Sequence, residues 1–163
     1  MGWLFTNGAT KSDIIKNLIK AEENDNRYWN TIAHCIRGDV LWAVVEITFK
    51  KDGRKDHFIA CYLLMKSEDS WGYKDMCESM GPLRYSCPLK YLKMTPVTNQ
   101  SWRNEVIAYH KHQTQKVEIG QKISLVNARI PWVVITSKRP LQGAYAGMHY
   151  RIPRRMLGDV VAA

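Results

Sequence analysis

YWNTIAHCIRGDVLWAVVEITFKKDGRKDHFIACYLLMK, residues 28 to 66, is the stretch on which the fold turns. From Tyr28 to Ile36 the side chains alternate with period two. Trp29, Thr31, Ala33 and Cys35 fall on one face and Tyr28, Ile32, His34 and Ile36 on the other, which predicts a strand. Gly38-Asp39 supplies a short turn, and Val40 to Phe49 reads as a second, mostly apolar strand. Asp52-Gly53 is a strong hairpin signal, because both residues tolerate the positive φ that a tight two-residue turn demands, and His57 to Met65 follows as a third strand. Residues 28 to 66 are therefore expected to form an antiparallel meander.

Upstream, Thr10 suits a helix N-cap and Asp13 its first turn, with Ile14, Ile15, Leu18 and Ile19 recurring at helical spacing. This amphipathic helix fades into the polar stretch Glu22 to Asn26. Downstream, Trp71 to Met80 reads as a helix capped by Ser70 and stopped by Gly81 and Pro82. Pro88 suits a first helical position, which makes Cys87 the expected N-cap of a short helix ending before Pro96. Thr98 or Ser101 opens a third helix that presents Trp102, Val106, Ile107 and Tyr109 and ends near His112. The tail changes texture: Lys122 to Val126, Trp132 to Thr136 and Met148 to Ile152 are strand candidates between Pro- and Gly-containing turns. The expected class is α+β, an antiparallel meander with helices packed on one face. It is followed by a small basic β subdomain from Val117, giving 1–116 and 117–163, and a single fused domain 1–163 is equally compatible.

The opening Met1-Gly2-Trp3-Leu4-Phe5 and the run Trp71 to Leu92, WGYKDMCESMGPLRYSCPLKYL, carry a resemblance. The chain resembles a family of small uncharacterised proteins of phages and plasmids that start MGWLF and carry a WGYKDM segment followed by a CPL-type segment. The likeness is best from residue 1 to about Leu92 and looser toward Tyr150 to Pro153. It implies a bacterial cytoplasm and brings no assigned catalytic residue.

At 163 residues the chain is long enough to bury roughly 70% of its unfolded surface. No window reaches the ~18 apolar residues of a membrane span, and Met1 to Ser12 lacks the form of an export signal. Cys35, Cys61, Cys77 and Cys87 are unevenly spaced, so free thiols are expected and no zinc pattern arises. His110 and His112 are too close in sequence to share a helical face. No phosphate-binding loop, dinucleotide fingerprint or hydrolase motif is present, so no cofactor is expected.

Charge is distributed unevenly. Residues 1–70 hold 10 Lys and Arg against 10 Asp and Glu, whereas residues 71–163 hold 14 against 5, so the whole net charge of +9 lies in the second part. That asymmetry points to a surface facing a polyanion, with a solvated basic face as the plain alternative. Arg129, Lys138, Arg139, Arg151, Arg154 and Arg155 are interleaved with Trp132, Tyr145, His149 and Tyr150. Guanidinium forks bind phosphate and flat rings stack on unpaired bases, the combination used by single-strand and RNA platforms.

Catalytic candidates are weaker. Glu46 interrupts an apolar strand, and facing inward it would need a partner, whereas cross-strand pairing on an outward face is the plain reading. Cys87, at a helix N-terminus, would be acidified, but no motif selects a base for it among His34, His57, His110 and His112. Asp75 and Glu78 would share one face of a helix. The leading expectation is a non-enzymatic accessory protein of a mobile element that binds nucleic acid or a nucleoprotein. A phage-borne inhibitor of a host defence protein and a small enzyme using Cys87, Glu46 or Asp75 with Glu78 are the alternatives.

Overall fold

The computed structural model describes residues 3–77, 84–126 and 128–162, and at Trp3 and Cys77 the backbone alone. The chain is α+β and divides into two compact units, Met1–Val106 and Ile107–Ala163, with the division falling inside a helix.

The first unit is built on the meander. Strands β3 (Arg27–Arg37), β4 (Val40–Phe49) and β5 (Lys55–Ser67) pair antiparallel in sequence order. They lie within a six-stranded sheet of order β1-β6-β5-β4-β3-β2, with β1 at Trp3–Thr6, β2 at Glu22–Glu23 and β6 at Ser70–Cys77.

Helix α1 (Lys11–Ile19) begins with the expected Thr10 cap, completed reciprocally: the Asp13 amide donates to Thr10 Oγ1 at 3.2 Å and the Thr10 amide to Asp13 Oδ2 at 3.0 Å. Its Ile14 packs on Leu41 and Leu64, one face of the sheet. Helices α2 (Leu89–Met94) and α3 (Gln100–Gln113) cover the other face, where Tyr91, Trp102 and Val106 meet Val40, Trp42 and Val44. The expected helix layer on one face is thus α2 and α3, and α1 adds a second layer opposite. Covering on both sides explains why Val40 to Val45 is continuously buried and reads as an unbroken apolar run. At the centre of this core the Trp42 and Trp102 rings stack with centroids 6.1 Å apart, and Trp42 Nε1 donates to Ser86 Oγ at 3.1 Å.

Four local expectations are corrected. Residues 70–77 are strand β6, not a helix: Ser70 pairs with Ser67 to close a hairpin with β5, and Trp71 to Lys74 pair with β1 on the other side. Backbone pairing on both edges outweighs the helix-stop signals of Gly81 and Pro82, which lie outside the described residues. Gly72 permits that pairing, since a Cβ there would sit 2.0 Å from Leu4 O. Second, Cys87 is not a cap: Pro88 holds the N-cap position of α2 and Cys87 is fully buried among Trp42, Tyr91 and Trp102. Third, α3 is capped by Asn99, whose Oδ1 accepts from the Trp102 amide at 3.0 Å.

The fourth correction concerns β3. Its register against β4 shifts between Thr31 and Ala33, a bulge that inserts one extra residue at Ile32. Trp29 and Thr31 therefore lie on the α1 face, beside Val45, while Ala33 and Cys35 pack into the opposite core with Trp42. Strict period-two alternation would have kept all four together.

In the second unit, strands β7 (Lys122–Leu125), β8 (Trp132–Lys138) and β10 (Met148–Arg151) match the three candidates in the tail, joined by β9 (Leu141–Tyr145) and β11 (Leu157–Val160). The sheet order is β10-β9-β8-β7-β11, so the last strand returns beside the first of this unit after a 3-10 turn at Arg154–Met156. Val117, Ile123, Val133, Ile135, Leu141, Ile152 and Leu157 form its core. Gly143 belongs to that packing, because a Cβ would lie 2.6 Å from Val133.

Candidate functional site

Residues 107–163 contain nine Lys and Arg but only two acids, Glu118 and Asp159. Both acids are already engaged. Glu118 Oε2 lies 3.2 Å from Lys138 Nζ, and Asp159 Oδ1 lies 3.9 Å from both Lys111 Nζ and His112 Nε2. Such exposed pairs contribute little stability, but they leave seven cations without an ion pair among the described residues: Lys116, Lys122, Arg129, Arg139, Arg151, Arg154 and Arg155.

The residues singled out in the tail do not form one patch. Lys138 and Arg139 occupy the β8–β9 turn, and Arg151 lies at the same end of the sheet, since Lys138 faces Leu141 and Arg151 faces Gln142. Arg129 and Trp132 sit at the opposite end of β8. Arg154 and Arg155 ride on the 3-10 turn, which Arg154 ties down by donating from Nη1 to the carbonyls of Gln115 at 2.9 Å and Gln113 at 3.4 Å. Arg139, Arg151 and Arg155 are exposed.

Trp132 differs from an open stacking platform. Lys122 Nζ sits 4.0 Å from its ring centroid, and Tyr145 meets it edge-on with centroids 4.9 Å apart. Tyr145 and Tyr150 pack against the core of the unit, so charge rather than open aromatic surface dominates here.

The catalytic candidates separate. Cys87 is buried, its Sγ donating to the Pro88 carbonyl at 3.6 Å, and it behaves as a small core hydrophobe. Glu46 is cross-strand paired, as the plain reading had it: Oε2 lies 3.0 Å from His57 Nε2 and Oε1 3.3 Å from Lys55 Nζ. The His57 hydrogen bond, helped by Lys55, holds its carboxyl below the usual glutamate range. With residues 70–77 in a strand, the helical argument that joined Asp75 to Glu78 no longer applies, and Glu78 lies outside the described residues.

Asp75 instead enters a different grouping. On the α1 face of the first sheet, Ala43, Val45 and Ala60 form a small buried cluster, Ala43 and Ala60 pairing directly across β4 and β5. Around it stand Trp29, Phe58, Tyr62 and Tyr73, and together with Asp75, Thr31, Glu22 and Lys20 they line a cavity of about 280 Å³. Tyr62 and Tyr73 meet edge to face at 5.5 Å. Burial pushes the Asp75 carboxyl above the usual aspartate range, and burial with the nearby Asp75 and Glu22 charges pushes the Tyr73 phenol up as well.

No family model, curated protein or solved structure matches this chain. Its chemistry is therefore read from its own side chains. Among the described residues no three His, Cys, Asp or Glu side chains are placed to hold a metal ion, and no helix is long and apolar enough to cross a membrane. Two elements escaped the sequence: the aromatic walls of the cleft, which come from the three strands β3, β5 and β6, and Arg103. That arginine is buried, donating from Nη1 to Leu92 O at 2.6 Å and from Nη2 to Pro96 O at 2.8 Å and Thr95 Oγ1 at 2.9 Å. One cation of the basic half is thus a staple between the α2–α3 connection and α3.

Proposed function

We propose that the protein binds nucleic acid through its second unit by phosphate neutralisation, as an accessory protein of the mobile element that its MGWLF and WGYKDM segments suggest. The observation that carries the reading is the charge inventory of residues 107–163, in which both acids are already paired and seven cations remain. A duplex or single strand presents a dense row of phosphates, and exposed Arg139, Arg151 and Arg155 are suited to them as bidentate donors. Because Trp132 already carries Lys122 against its ring, affinity rests on charge more than on stacking.

The test is fluorescence anisotropy of labelled single-stranded and duplex DNA over a range of salt. Affinity should fall steeply with salt, and replacing Arg139, Arg151 and Arg155 together with alanine should reduce the log–log slope by about 2 to 3, one phosphate contact per arginine. Arg154 is kept, since its loss would disturb the turn it ties down. Absence of binding at low salt, or an unchanged slope in the triple variant, would sink the proposal.

A further inference from the structure

The cleft on the first unit has features that a merely incomplete core does not need. Its walls are aromatic, yet a half-buried carboxylate, Asp75, lies among them and makes no ion pair with any described residue. From the buried Ala43, Val45 and Ala60 cluster only Val45 reaches the lining, and Trp29, Phe58 and Tyr62, which pack on that cluster, also bound the open space. A carboxylate held in such surroundings pays a desolvation cost that a bound cation would relieve. Aromatic faces add to the attraction through their quadrupoles, best when the cation is large and weakly hydrated.

We propose that this cleft binds an alkylammonium group, with Asp75 as the counter-charge and Trp29, Tyr62 and Tyr73 as the aromatic walls. Two further charged groups line it, Glu22, which reinforces the preference for a cation, and Lys20, which opposes it from an exposed position. The alkylammonium group belongs either to a free quaternary amine or to a lysine side chain of a protein: both carry a positive charge on an alkyl stem, the first weakly hydrated and without N–H donors, the second with three. The inference concerns the first unit alone and stands or falls apart from nucleic-acid binding by the second.

The experiment is a titration of the isotope-labelled full chain, followed by amide and indole NMR shifts. The probes are choline, its neutral isostere 3,3-dimethylbutan-1-ol, and an acetyl-Gly-Lys-Gly amide peptide. Saturable shifts at the Trp29 indole and the Thr31 and Asp75 amides are expected with choline or the peptide, and the tighter of the two identifies the source. The neutral isostere should bind at least about tenfold more weakly than choline, and Asp75→Asn should lower cation affinity by about the same factor, the size of one desolvated charge contact. Equal binding of choline and its isostere to the unmodified protein, or no saturable shift with either cation, would overturn the proposal whether or not the Asp75→Asn variant folds.

Discussion

Lys122 Nζ lies 4.0 Å from the centroid of the Trp132 ring, so the aromatic residue that would offer a nucleobase a stacking surface already holds a cation against it. Both residues stand on one face of the second sheet, where Lys122 faces Val134 and Ser124 faces Trp132. The pair supplies positive charge on a rigid strand surface and leaves base stacking a minor part.

Nucleic-acid binding is accordingly expected to be indifferent to strand type. Trp132→Leu, which keeps an apolar side chain in place, should change affinity for single-stranded DNA by less than about threefold, well under the ~1–3 kcal/mol of a base stacked on an aromatic ring. A selective loss of single-strand affinity in the anisotropy assay would restore the stacking reading.

Cys61 and Cys87 should resist alkylation in the folded protein. Both are fully buried, and burial pushes the Cys61 thiol up to about 12. Peptide mapping after iodoacetamide treatment should find them unmodified natively and modified in denaturant. Rapid native labelling of Cys87 would reopen the case for it as a nucleophile.

Arg103→Lys should destabilise the first unit by about 2 to 4 kcal/mol, because a single ammonium cannot reproduce a fork that satisfies Leu92, Thr95 and Pro96 together. Urea unfolding measures it. A loss below about 0.5 kcal/mol would mean that the charge was never needed to organise the α2–α3 connection.

Asp75→Asn should raise stability at neutral pH. The folded-state pKa lies above the ordinary aspartate value of 3.8 because burial disfavours the charged form. The wild-type protein therefore loses stability as pH rises from that value through the folded one, and the variant does not. The two thermal midpoints should converge in acid and separate above the folded pKa. A variant less stable than wild type at neutral pH would show that the carboxylate is stabilised in the cleft rather than tolerated there.

The sequence was most legible where turn chemistry and periodicity agreed. Gly38-Asp39 and Asp52-Gly53 mark the two hairpin turns of the meander, and Thr10 with Asp13 marks the start of α1. It was least legible at residues 70–77, whose alternation of Trp71, Tyr73 and Asp75 competes with a downstream helix-stop signal. The decision there is made by pairing on both edges, with β5 along the whole of β6 and with β1, which is far away in the chain. Of the site residues, Asp75 was visible as an ionisable group, but its surroundings were not, since Trp29 and Tyr62 come from other strands and Tyr73 shares its face only because residues 70–77 are a strand. The basic tail was legible as charge, whereas the structural duty of Arg154 and the covering of Trp132 depend on contacts no motif encodes.

The bulge at Ile32 has a genetic corollary. It makes β3 two half-strands in opposite phase, so its first half answers to the cleft and its second to the hydrophobic core, and each half accepts substitutions without consulting the other. Loss of the single codon for Ile32 would make Thr31 and Ala33 consecutive partners of Val45 and Val44, so Trp29 would stay at the cleft wall and Cys35 in the core, whereas loss of a codon elsewhere within the strand would turn one of its halves to the wrong face.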